Sequence, residues 1–145
     1  MTIEELKKLT EDEFQSIDKV LGELQVVYVG EERTYTLSEK AAVSTFIINI
    51  YSGMETVLKQ MLVFDKLDVQ DSPEWHEKIL RKSAEIGILP PELHQMLVKC
   101  LAFRQYFMYS YVFNIKWDEV KVMTGAVVVM VESFKSECRD YLQSF

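Results

Sequence analysis

Phe103-Arg104-Gln105-Tyr106-Phe107-Met108-Tyr109-Ser110-Tyr111 decides how the rest of the chain is read. Together with Phe113 it places six large rings within eleven residues. It follows Pro90-Pro91, a pair that stops one element and can open a helix at its first position. At ~100° per residue, Leu93, Leu97, Cys100, Leu101, Arg104, Met108 and Tyr111 fall on one stripe of that helix, while Phe103, Tyr106, Phe107 and Ser110 look elsewhere. The spacing therefore predicts a helix to about Phe113 with two packing surfaces. Either the other helices enclose it, or one surface is kept for a second chain.

Working outward, the same periodicity recurs. Ile3, Leu6, Leu9, Phe14, Ile17, Val20, Leu21 and Leu24 have helical spacing, with Thr10 and Glu13 spaced as a capping box that would break the helix near Thr10. Residues 26–37 suit either a helix end and loop or a short hairpin around Gly30; helix then loop is preferred. Ser38 is the expected cap of a second helix to about Lys66, apolar nearly all round from Ala41 to Ile50. Pro73 opens a third to about Ile86, which Gly87 ends, and Asp118 to about Leu142 makes a fifth. Five helices in an up-down bundle is the expected all-α architecture, as a single domain over residues 1–145.

Charge and cysteine content narrow the function. The formal net charge is -7, and residues 1–32 hold nine acids against three lysines. Such a segment argues against a broad nucleic-acid surface and reads as a solvated helix face, although a local RNA site elsewhere stays open. Cys100 and Cys138 lie inside helical patterns without metal-site spacing and are expected as buried free thiols in a reducing compartment. The start, Met1-Thr2-Ile3-Glu4-Glu5, is too acidic for a leader, and the apolar runs Phe46 to Ile50 and Ala126 to Val131 fall short of the ~20 residues of a membrane span. The cytoplasm is the expected location, with no membrane partner.

No glycine-rich phosphate loop is present, since the five glycines are scattered singly. Neither His76 nor His94 has an acid three residues before it; Pro73 and Pro91 stand there, so a bundle metal site is not expected, nor any cofactor. Arg104 is the exception among the apolar residues around it. A guanidinium there must be paired, with Glu55 the candidate acid, or must face water and bind an anion such as phosphate.

Three stretches, Tyr51-Ser52-Gly53-Met54-Glu55, Trp75-His76-Glu77-Lys78-Ile79-Leu80 and Phe103 to Tyr111, resemble in order and spacing the signatures of the HepT-like branch of HEPN proteins, over roughly Thr36 to Leu142. The resemblance implies a five-helix bundle that dimerises through its motif helices. It also implies a metal-independent RNA-cleaving cleft in which an arginine steadies the phosphate and a histidine assists attack by the ribose 2'-hydroxyl. A tyrosine two residues beyond that histidine is, by the same resemblance, adenylylated by a nucleotidyltransferase antitoxin. By position Arg104 is the arginine and Tyr111 the modified tyrosine.

Tyr109 stands where the histidine is expected, and Gln105 where some relatives carry another. A phenol, which ionises near ~10, is a poor general base at physiological pH, whereas an imidazole titrates near ~6.5. Losing such a group commonly costs about 10²- to 10⁴-fold in rate. The expectation is a toxin-antitoxin type protein that binds RNA with weak or lost ribonuclease activity, Glu55, His76 and Gln105 supporting the site. Two rivals are a non-catalytic dimeric interaction module and an active ribonuclease that recruits His76.

Overall fold

The structure, a computed structural model, describes residues 1–67 and 73–145. Among the described residues five α-helices follow one another: α1 (Ile3–Val27), α2 (Leu37–Phe64), α3 (Trp75–Glu85), α4 (Pro91–Met108) and α5 (Trp117–Gln143), with a 3₁₀ turn at Val112–Asn114 before α5. The all-helical bundle expected from the periodicity is present. One buried cluster, from Leu6 on α1 to Leu142 on α5, draws on every helix.

Thr2 caps α1 by accepting from the Glu5 amide at 3.1 Å, and the helix then runs unbroken for 25 residues. The capping box at Thr10 does not form. Thr10 is fully buried on the stripe that also carries Leu6, Phe14 and Ile17, and packing of that stripe overrides the local cap signal. The acidic face of α1 is solvated as expected: even where Lys135 on α5 pairs with Asp18 and Arg139 holds Glu11 through two bonds of 2.8 and 3.1 Å, the two carboxylates stay 50% and 46% exposed.

Residues 28–36 form a loop, not a hairpin. Tyr35 is buried, its hydroxyl donates to the Gly30 carbonyl at 2.7 Å, and it accepts from the Val29 amide at 2.9 Å. One side chain thereby satisfies backbone groups that strand pairing would otherwise serve. Gly30, at φ 140°, supplies the turn that an L side chain would resist.

The cap of α2 is Thr36, two residues before the expected Ser38. Thr36 and Glu39 form the reciprocal capping box, with bonds of 2.9 and 3.1 Å. By length and composition alone α2 could cross a membrane, but half of its most apolar window is buried inside the bundle. It packs against α1, α3, α4 and α5, so α2 is the central helix, and its all-round apolarity follows. The enclosed position proposed for α4 is therefore taken by α2. At Gly53, α1 comes so near that an added Cβ would meet Ile17 Cγ1 at 2.8 Å.

Pro73 precedes α3 by two residues rather than opening it. Gly87, at φ 89°, ends α3 with the Ile88 amide bonded to the Ser83 carbonyl at 2.9 Å and the Gly87 amide to Ala84 at 3.2 Å, the paired bonds of a Schellman cap. Pro91 opens α4 as expected, but α4 stops at Met108, five residues short of the predicted Phe113. The last turn tightens through the Tyr109 and Ser110 amides onto Tyr106 and Phe107. The Tyr106 hydroxyl then reaches the Asn114 carbonyl at 2.8 Å, with Lys116 Nζ 4.3 Å from the centre of the same ring. These contacts fold the chain back where helical pattern alone would extend it. α4 keeps Leu93, Leu97, Cys100, Leu101 and Phe103 in the core, so Phe103 belongs to the buried face, whereas Met108 and Tyr111 are exposed.

Candidate functional site at the junction of α2, α3 and α4

The site is built on two turns of α2. Tyr51 and Glu55, four residues apart, lie one above the other on the face that meets α3 and α4. The Tyr51 hydroxyl donates to Glu55 Oε2 at 2.7 Å. Burial, and then the neighbouring Glu55 carboxylate, push the Tyr51 phenol far above its ordinary range, while Arg104 is near enough to oppose that shift in part. Tyr51 is accordingly a fixed proton donor to Glu55.

The third member comes from the first turn of α3. His76 Nδ1 lies 2.8 Å from the same Glu55 oxygen, and the side chains of His76 and Glu55 are only 17% and 9% exposed. The next residue, Glu77, accepts a bond from Gln105 Nε2 at 3.1 Å. That bond, foremost, holds the Glu77 carboxyl below its usual range. Of two consecutive residues of α3, His76 thus meets α2 at Glu55 and Glu77 meets α4 at Gln105.

Arg104 is half-buried. The candidate ion pair with Glu55 does not form: Glu55 Oε2 instead meets Tyr51 and His76, and among the described residues Arg104 has no carboxylate within ion-pair distance. Tyr109 and Tyr111, placed by the sequence on the same helix as Arg104, are beyond its end. Tyr109 is 90% exposed and Tyr111 74% exposed, stacked on Phe113 with ring centres 5.3 Å apart. The shared stripe of Arg104 and Tyr111 is therefore not realised.

The structure joins Glu55 to His76 directly, sets Gln105 against Glu77, brings Arg104 within electrostatic reach of Tyr51, and leaves Tyr109 and Tyr111 on the surface beyond the end of α4. Tyr51 and Glu77 were not singled out from the sequence as site residues. The four-residue spacing from Tyr51 to Glu55 was a usable signal; the pairing of Glu77 with Gln105 across two helices carried none. A cleft of about 680 Å³ has Glu55 and Trp75 in its wall, but none of Arg104, Tyr109 or Tyr111. Among the described residues no group of three metal-ligating side chains converges.

Residues 42–145 match the family described as HepT-like protein. The chain belongs to that family. Membership covers α2 from its second turn through the end of the chain, including every residue of the site. It places the protein in the HepT-like branch of HEPN proteins. Comparison with curated proteins and with solved structures gave no match.

Proposed function

We propose that this HepT-like protein binds RNA through Arg104 and acts in a toxin-antitoxin type system with weak or lost metal-independent ribonuclease activity. The observation that carries the proposal is a half-buried guanidinium without an ion-paired carboxylate among the described residues. Such a group is costly to bury alone, and its planar donor fork suits a phosphodiester. Tyr109, at the position of the histidine, is an exposed ring that can stack on a base but has no imidazole to transfer protons. Tyr111 presents an accessible phenol to a nucleotidyltransferase-type antitoxin.

A homodimer through α4 belongs to the same proposal. Val98 on α4 and Val122 and Val129 on α5 are exposed apolar residues, which suits a second copy of the chain. The exposed run Met108 to Phe113 favours one alternative, a non-catalytic dimeric interaction module.

The test is incubation of the purified protein with tRNA and single-stranded RNA, beside Tyr109→His and Arg104→Ala. Expected are binding by the wild type, loss of binding in Arg104→Ala, and a gain of cleavage in Tyr109→His that Arg104→Ala removes. If neither wild type nor Tyr109→His binds or cuts RNA, the interaction module replaces this reading.

A further inference from the structure

We infer that His76, held by Glu55, is the proton acceptor for cleavage of an RNA phosphodiester gripped by Arg104. The inference rests on the RNA-binding reading above and assigns the proton-transfer role to a residue outside the Arg104 to Tyr111 stretch.

Three observations carry it. First, Glu55 Oε2 receives both the Tyr51 hydroxyl at 2.7 Å and His76 Nδ1 at 2.8 Å. A carboxylate only accepts, so Nδ1 is a protonated nitrogen, and in the neutral ring Nε2 then keeps its lone pair. Second, the imidazole is held but not sealed: it is partly exposed, and Nε2 has no hydrogen bond among the described residues. Third, the helix that carries His76 is tied to the helix that carries Arg104. Glu77 is bonded to Gln105, the neighbour of Arg104, and Arg104 lies within electrostatic reach of Tyr51, which touches the Glu55 that holds His76. His94, near the opposite end of α4, has none of these relationships.

The step balances without metal or redox partner. The ribose 2'-hydroxyl gives its proton to Nε2 as its oxygen bonds to phosphorus. The bond from phosphorus to the 5'-oxygen breaks, and that oxygen takes a proton from water. The hydroxide so formed is neutralised by the proton the imidazolium releases. Arg104 stabilises the charge gathering on the phosphoryl oxygens, and the products are a 2',3'-cyclic phosphate and a 5'-hydroxyl. Glu55 is a positioning residue, fixing the tautomer and orientation of the ring as a buried carboxylate does in other acid-histidine pairs.

The experiment uses the full chain, end-labelled single-stranded RNA and a chelator, with wild type, His76→Gln, His76→Ala and Arg104→Ala. Slow wild-type cleavage yielding cyclic phosphate ends is expected. His76→Gln should lower it by about 10²-fold or more with RNA affinity unchanged, and added imidazole should restore part of the rate of His76→Ala. Nitrogen-15 NMR of the wild type, which does not depend on any variant folding, should find the proton on Nδ1, and Glu55→Gln should shift that preference. Wild type that binds RNA without cutting it, cleavage indifferent to His76→Gln, or a proton on Nε2 overturns the inference and leaves RNA binding standing. No RNA binding by the wild type overturns both.

Discussion

His76 Nδ1 lies 2.8 Å from Glu55 Oε2, which joins the first turn of α3 to the middle of the central helix through a carboxylate that Tyr51 also holds. Removing Glu55 strands a fully buried phenol. Glu55→Ala should therefore lower unfolding free energy by about 2 kcal/mol and Tyr51→Phe by about 1 kcal/mol, since an orphaned buried donor costs more than a deleted one. Urea denaturation of both variants is the check. Equal effects would mean that Tyr51 finds another partner when Glu55 is lost.

Gly53 and Gly22 should respond in opposite directions to alanine. Both lie inside long helices, where alanine is favoured by about 1 kcal/mol on propensity. Gly22 has open space at its Cβ position, so Gly22→Ala should gain about that amount. At Gly53 the new methyl meets the stem of buried, β-branched Ile17 at 2.8 Å, and overpacking of about 1–3 kcal/mol should outweigh the gain. Thermal melts of the two variants decide it; a stabilised Gly53→Ala would show that α1 can shift away at little cost.

The helical periodicity was enough to recover five helices, because each buries a stripe with spacing visible in the letters. What it missed were places where a distant side chain settled a local choice. Thr10 carries a plausible cap but is drawn into the core by Leu6 and Phe14, and residues 28–36 read ambiguously until Tyr35 is seen bonding Val29 and Gly30. The site was half legible for the same reason. Arg104 stood out as a charge in an apolar setting, yet the sequence could not show that Glu55 would pair with His76 and not with Arg104.

The contact between α3 and α4 should depend weakly on pH. Glu77 is held below its ordinary value chiefly by Gln105, then by its own backbone, so the folded state binds its proton less tightly than the unfolded one. Its contribution is present above ~4.3, the ordinary glutamate value, and is lost as pH falls through the lower folded value. Because Glu77 is exposed, solvent screening should keep the effect under about 1 kcal/mol. NMR titration should show the Glu77 carboxyl rising toward its ordinary range in Gln105→Ala; an unchanged titration would assign the shift to other causes.

Both thiols should be silent in the folded protein. Burial pushes Cys100 up to about 12 and raises Cys138 as well, so the reactive thiolate is scarce at neutral pH. An aromatic disulfide reagent should label neither cysteine on the timescale of minutes at pH 8 and both at once in denaturant. Prompt labelling of one thiol in the native state would mean that its helix opens locally.

α4 ends at Met108, between Arg104 and the two exposed tyrosines. The guanidinium and the rings are thus mounted on different mechanical parts. Arg104 is anchored to the bundle by the rows of residues around it, while Tyr109 and Tyr111 ride on a short knuckle pinned by the bond from Tyr106 to Asn114. Loosening that pin should change how the tyrosines are displayed without disturbing the arginine, so the two halves of one stretch can be altered separately.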